Sequence, residues 1–356
     1  MLEKLGVKLP VIQAPMAGIA TPALAAAVSN AGGLGSIGVG ATDANGAQKM
    51  IEELRAKTDR AFNVNVFVHT AAPTDPVLES AWLEFLKPHF VEFGAEPPKA
   101  LRSPYTSFAD DADMLALLLE TKPSVVSLHF GLPSAEVIKA LKDAGITLFA
   151  TATSLEEARK IEAAGIDATV AQGIEAGGHR GVFNPDAPDD GLGTVALTRL
   201  LVRETRIPVI AAGGIMDGAG ISAVLDLGAV AAQLGTAFVS CPESAADEGY
   251  RKALSGPGAY HTRLTPLISG RPARALGNRF TALQETILDQ LPPAYPIAYD
   301  AGKALHAVAK AKGEHGFGAH WAGQGAPLSR ALPVAELVAT LVHELAEAAR
   351  HRFAAS

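Results

Sequence analysis

Ala168-Thr169-Val170-Ala171-Gln172-Gly173-Ile174-Glu175-Ala176-Gly177-Gly178-His179-Arg180-Gly181 begins as a short apolar, β-branched run and ends in glycines and one histidine. The run lacks polar alternation, as expected of a strand covered on both faces. An amide at the strand end, then glycines, then a histidine is how an active-site loop is built. Gly177 and Gly178 lack Cβ atoms, so the backbone can approach a flat or anionic ligand closely. His179 is the side chain best suited to move a proton near neutral pH.

Seven further runs repeat this pattern: 11–15, 34–37, 62–67, 125–130, 147–151, 209–212 and 231–234. Segments of helical spacing lie between them, among them 22–30, 154–164 and 219–227. The last two stop at Gly165 and Gly228, good helix terminators. Eight strands each followed by a helix predict an α/β (β/α)8 TIM barrel, for which about 240 residues is the usual length. A doubly wound open sheet is the alternative. Against it, no G-x-G-x-x-G follows the first strand, and Gly33-Leu34-Gly35 falls at the second without the acid that frame needs. Residues 71–122 are longer than an ordinary βα connection and carry Pro73, Pro76, Pro88, Pro97 and Pro98. They are expected as an insertion after strand three, over the barrel mouth, with helical pieces at 76–86 and 110–119. The expected division is a barrel over 1–240 and a mainly helical, substrate-side extension over 241–356. Its helices fall at 298–311 and 333–350, and no strand is expected in it.

The chain has 356 residues, 48% of them hydrophobic, with a net charge of −7. That is enough for a sizeable core, and without a basic cluster it argues against nucleic acid and anionic membranes as partners. The single Cys241 excludes an internal disulfide framework. Met1-Leu2-Glu3-Lys4-Leu5-Gly6 has no apolar signal core, and no run nears ~18 apolar residues. A cytoplasmic protein, monomer or homodimer, is expected. No metal site is expected.

In a barrel the chemistry comes from the C-terminal strand ends. Gly213-Gly214 and Gly235-Thr236 fall after the last two strands, the usual phosphate site, where bare backbone N–H groups and a hydroxyl can hold a phosphate. The same glycines also suit plain tight turns. Asn63 and Asn65 share one strand face by period two. Asn65 and Gln172 are amides at the mouth, able to bond a heteroaromatic edge with both donors and acceptors; a hydrogen-bonded polar cap is the plainer alternative. Met16 suits a soft shelf under a ring, or plain core.

Taken together, these residues resemble the FMN-dependent nitronate monooxygenase family. The resemblance rests on Pro15-Met16-Ala17-Gly18, Ala31-Gly32-Gly33-Leu34-Gly35, Asn65-Val66-Phe67, the Gln172–Gly181 loop and Ala211-Ala212-Gly213-Gly214-Ile215. Leu227-Gly228-Ala229, Leu234-Gly235-Thr236, Ser269-Gly270-Arg271-Pro272-Ala273-Arg274 and Asn278 extend it, so that it spans roughly residues 10–325. It implies FMN held by Asn65, Gln172, Gly177, Gly214 and Gln233, Leu234, Gly235 and Thr236, with Met16, Gly178 and Gly213 beside it. It also implies that His179 is the catalytic histidine.

Tyr295, Tyr299 and Lys303 stand at i, i+4 and i+8, one face of a helix. Pro296 fits only the first turn of such a helix, which sets Tyr295 just before it. They suit a polar rim with Lys303 meeting an anionic substrate, or an amphipathic surface helix. With Trp321-Ala322-Gly323-Gln324-Gly325 they resemble the class acting on propionate 3-nitronate. The implied reaction is oxidation of an alkyl nitronate with dioxygen to a carbonyl compound and nitrite or nitrate. His179 either offsets the substrate charge by hydrogen bonding or protonation, the favoured role for an ionised substrate, or acts as a base toward a neutral nitroalkane. His69, His129 and His261 are taken as structural, with His129, at a strand end, the leading exception. Competing readings are an FMN-dependent enoyl-acyl-carrier-protein reductase, an NADH:quinone reductase, a non-catalytic flavin carrier, and a phosphate-sugar barrel enzyme without flavin.

Overall fold

Parallel pairing carries the chain around a full circle. β1 (Val11–Gln13), β2 (Gly35–Gly38), β3 (Phe62–Phe67), β4 (Val125–His129), β5 (Thr147–Ala152) and β6 (Ala168–Gln172) follow one another. β7 (Gly178–His179) stands outside the ring; β8 (Val209–Ala212) and β9 (Ala231–Leu234) complete it. The hydrogen-bonded order is β1-β9-β8-β6-β5-β4-β3-β2. Leu34 and Ile12 close the circle, with Gln13 N donating to Leu34 O at 2.9 Å and Leu34 N to Val11 O at 3.0 Å. All eight expected barrel strands are present, with shifts of a few residues at their ends. The computed structural model describes residues 1–71, 73–287 and 291–354. Residue 72 of the expected insertion, and residues 288–290 and 355–356 of the expected extension, lie outside the described residues.

Period-two alternation decides what each strand offers. Ile12, Leu34, Val125, Phe149, Ala168, Val170, Ile210, Ala212 and Ala231 cluster in the barrel interior. Val64, Val66, Val126, Leu128, Leu148, Ala150, Ala171 and Val209 pack outward against the helices. Counting in twos up the interior columns ends at Asn65, His129, Thr151, Gln172 and Gln233, all at the mouth. Side-chain caps begin many of the helices between strands: Thr21 Oγ1 accepts from Leu24 N, Asp43 Oδ1 from Gly46 N and Ser154 Oγ from Glu157 N. Gly165 and Gly228, at φ 76° and 97°, end the helices Leu155–Ala163 and Gly218–Asp226.

Two segments far apart in sequence form one cap. Helix Pro76–Glu92 contributes Trp82, Leu83, Leu86 and Phe90 to a cluster with Leu267, Ile268, Phe280, Ile297, Ala301 and Leu305. Several of those partners belong to helix Ile297–Lys310. The region past residue 240 is mainly helical, as expected, and also carries two short strands that were not expected. β10 (Arg263–Thr265) and β11 (Ala273–Ala275) pair antiparallel, and β11 then pairs with β7, setting Ala273 opposite His179. These strands are three residues long, too short for period two to show in the sequence. The C-terminal helix Val334–Ala354 buries Val334, Leu337, Val338 and Leu341 against Leu24, Val28, Ile221 and Val224. It therefore completes the barrel's outer layer, and none of its residues lines the cavity at the mouth.

Candidate active site

A cavity of about 620 Å³ opens at the C-terminal strand ends. Its walls include Met16, Asn65, Gln172, Gly177, Gly178, His179, Gly213, Gly214, Gln233, Gly235 and Thr236, and from the cap Tyr295, Tyr299 and Lys303. Leu234 is the exception among the anticipated residues. Its neighbours Gln233 and Gly235 line the cavity, but Leu234 turns outward by period two into the helix layer with Leu24 and Phe238. Only its backbone serves the strand end, Leu234 O accepting from Ala14 N at 2.8 Å.

His179 is held from two directions. Its carbonyl accepts from Gln172 Nε2 at 3.0 Å and from His129 Nε2 at 3.3 Å. Because a carbonyl only accepts, His129 carries its proton on Nε2, and its Nδ1 accepts from Thr151 Oγ1 at 3.0 Å. Gln172 Oε1 accepts from Gly181 N at 2.8 Å, so this amide ties the loop back to β6 as well as lining the cavity. Arg180 clamps the loop further. It is bidentate to Asp189, at 2.7 and 2.9 Å, and donates to Gln172 O at 2.8 Å. On the side-chain side, His179 Nε2 lies 2.8 Å from Ser269 Oγ.

Burial dominates the titration of this region. His179 is pushed down to about 3 by burial, then by His129, Arg271 and His69. His129 and His69 are pushed down to about 4, burial first and Arg271 second. All three are neutral at pH 7. A protonated His179 offsetting a substrate charge, one of the two forms considered for that role, is therefore not the resting state. The cation of the wall is Lys303, lowered by burial and partly held up by Asp300. Its Nζ sits 4.5 Å from the Tyr105 ring centroid and 5.0 Å from that of Tyr299. Burial raises the hydroxyls of Tyr105, Tyr295 and Tyr299, which stay neutral donors.

Tyr295 precedes helix Ile297–Lys310 but still faces the cavity, its ring 5.2 Å from His179. Trp321 lies 5.1 Å from His179, and its carbonyl accepts from Tyr250 Oη. Tyr105, Ser127, Thr151, Tyr250 and Ser269 were not anticipated. Ser127 and Thr151 share the interior columns with Asn65 and Gln172, a period-two signal that could have found them. Tyr105 lies in the proline-rich insertion, where no periodicity marks it. Asn65 Nδ2 donates to Ser127 O and Oγ at 3.0 and 2.9 Å. Gly213 and Gly214, also on the cavity wall, take φ 118° and 71°, in the left-handed half of backbone space that favours glycine. The short helix Thr236–Val239 has no side-chain cap, so its first N–H groups remain available for an anion. Among the described residues no group of three His, Cys, Asp or Glu side chains could hold a metal.

A closed parallel barrel thus gathers its amides, glycine turns and buried histidine at the strand ends. The chain belongs to the nitronate monooxygenase family, whose pattern matches residues 1–344 and whose members are typically flavin-dependent. It is 65% identical over 345 residues to a nitronate monooxygenase of Paraburkholderia phytofirmans, covering 97% of this chain and 94% of that protein. A nitronate monooxygenase of Pseudomonas aeruginosa is 55% identical over 343 residues, covering 96% and 97%. The solved nitroalkane oxidase from Streptomyces ansochromogenes superposes with a TM-score of 0.89 at 43% identity, covering 98% and 99%.

Proposed function

We propose that this nitronate monooxygenase acts on small anionic nitronates, propionate 3-nitronate foremost, with FMN in the cavity and dioxygen as co-substrate, forming a carbonyl compound and nitrite or nitrate. One observation carries the substrate choice: Lys303, with no carboxylate in salt-bridge contact among the described residues, is braced by Tyr105 and Tyr299 on the wall that also holds His179. A carboxylate beside the nitronate gives that ammonium a partner.

FMN fits the residues present. Gly213, Gly214, Gly235 and Thr236 suit one phosphate. A Cβ on Gly177 would meet Gly323 N at 2.5 Å, so the chain runs closely here and only glycine fits. Asn65 and Gln233 supply amides for a ring edge, Gln172 lines the same wall while its amide holds His179 O and Gly181 N, and Met16 lies beside Gly235. FMN, when bound, supplies the electron transfer; the protein supplies position and electrostatics. Lys303 binds the carboxylate, the neutral tyrosines orient the anion, and the aromatic wall excludes water. His179, uncharged, has an acceptor nitrogen, which suits proton removal from a neutral nitroalkane more than support of an anion. This reading takes residues 1–240 as the barrel and 241–356 as the extension of a cytoplasmic monomer or homodimer. Among the described residues no helix is long and apolar enough to cross a membrane.

The test is oxygen uptake by the flavin-loaded protein with propionate 3-nitronate, beside NADH oxidation under the same conditions. Rapid uptake without a nicotinamide is expected. NADH oxidation with no nitronate-dependent uptake overturns the reading in favour of a reductase.

A further inference from the structure

Arg271 is buried and has no carboxylate within salt-bridge distance among the described residues. Its Nη2 donates to the Val182 carbonyl, and its Nε has no partner. Arg180, equally buried, shows the usual solution, a bidentate pair with Asp189. Burial brings the Arg271 pKa down to about 10, outweighing Tyr295, Glu157 and Asp186, which raise it. Both Glu157 oxygens are already taken, by Thr153 and by Phe183 N. A buried charge without a counter-ion is costly. Such a cost is retained where the charge is used.

The guanidinium carbon lies 4.2 Å above the Phe130 ring centroid. Phe130 itself has φ 79°, a region bulky residues avoid. That backbone sets its ring 5.7 Å from His179 and 5.3 Å from Tyr295, both cavity walls. One aromatic layer therefore separates the unpaired cation from the wall, and water does not screen it there.

We propose that Arg271, seated on Phe130 behind His179 and Tyr295, supplies a fixed positive charge that helps the cavity hold an anionic substrate. The charge reaches the wall: Arg271 opposes protonation of His69, His129 and His179 alike. The naming of a nitronate as that substrate rests on the proposed function; the attraction of anions does not. At a separation of about 8 Å and an effective dielectric of about 20, the charge is worth roughly thirty-fold in affinity for a monoanion.

The experiment uses flavin-loaded wild type, Arg271→Lys, Arg271→Gln and Arg271→Met, with nitrite as the anionic probe. Nitrite affinity is measured by calorimetry, and KM is measured for ethylnitronate and for neutral nitroethane. Expected is a nitrite affinity roughly thirty-fold weaker in the Gln and Met variants and largely restored in Lys. The rise in KM should be at least about five-fold larger for ethylnitronate than for nitroethane. Should the Met variant lose its flavin, Gln decides, because it keeps a donor for Val182. Should both fail to fold, Lys decides: it keeps the charge without the planar fork, and wild-type nitrite affinity supports the proposal. Unchanged nitrite affinity in a flavin-replete Gln or Met variant overturns it. So do equal losses on both substrates, a Lys variant as weak as Gln, or no nitrite binding by wild type. If wild type binds nitrite and Arg271→Gln weakens it, but no nitronate is turned over, the charge assignment stands and the substrate reading fails.

Discussion

His179 Nε2 lies 2.8 Å from Ser269 Oγ, and the Ser269 hydroxyl lies 3.2 Å from the Arg271 carbonyl. A carbonyl cannot donate, so the single Ser269 proton is committed to it. Ser269 Oγ must then accept from His179, which places the imidazole proton on Nε2 and leaves Nδ1 as the acceptor.

Ser269→Ala removes that restraint, so the wrong tautomer becomes accessible. A lost hydrogen bond of about 0.5–1.5 kcal/mol corresponds to roughly 2- to 13-fold in kcat/KM. The loss should appear with neutral nitroethane, which needs a base, and be smaller with ethylnitronate, which is already ionised. His179→Asn should lose about 10²–10⁴-fold on nitroethane with flavin retained. Steady-state kinetics of both variants on both substrates checks this, and equal losses would return Ser269 to a purely packing role.

Lys303→Met should raise KM for propionate 3-nitronate by about ten- to a hundred-fold, the worth of a charge-assisted hydrogen bond of roughly 1.5–3 kcal/mol. Ethylnitronate lacks the second anionic group and should show a smaller rise. Flavin content should stay constant, since Lys303 belongs to the cap and not to the glycine end of the cavity. The comparison is a pair of KM values on one preparation.

Acid should unfold the protein through its buried histidines. His179, His129 and His69 have folded pKa values of about 3, 4 and 4, below the ordinary 6.5. Below pH 6.5 the unfolded chain binds protons that the native state refuses. Stability is therefore fully present above pH 6.5 and is lost as pH falls toward the folded values. The limiting slope is about 1.4 kcal/mol per pH unit for each histidine. Urea midpoints at pH 7, 6 and 5 should fall in that order, and His69→Gln should flatten the trend.

Heat or acid should release a flavin that runs as FMN in chromatography. The proposed anion end, Gly213-Gly214 with Gly235-Thr236, suits one phosphate, and no dinucleotide fingerprint accompanies it. Recovery of FAD would contradict the assignment.

The barrel was legible because its strands are local facts. An apolar run bounded by glycine or proline is buried on both faces wherever it sits, and period two then commits Asn65, Gln172 and Gln233 to one side. The same rule turns the Leu234 side chain outward, into the helix layer. The glycine turns and His179 were legible because a missing Cβ and an imidazole have few alternative uses at a strand end.

Other features had no local signature. β10 and β11 are three-residue strands defined by their partners, and Tyr105 reaches Lys303 from about two hundred residues away. The charge state of His179 follows from how much surrounds it, and its tautomer from Ser269 and the Arg271 carbonyl. Patterning along a chain determines which residues are buried and which way they face. Proton positions, unpaired charges and the braced lysine depend on contacts that exist only once distant segments have closed over one another.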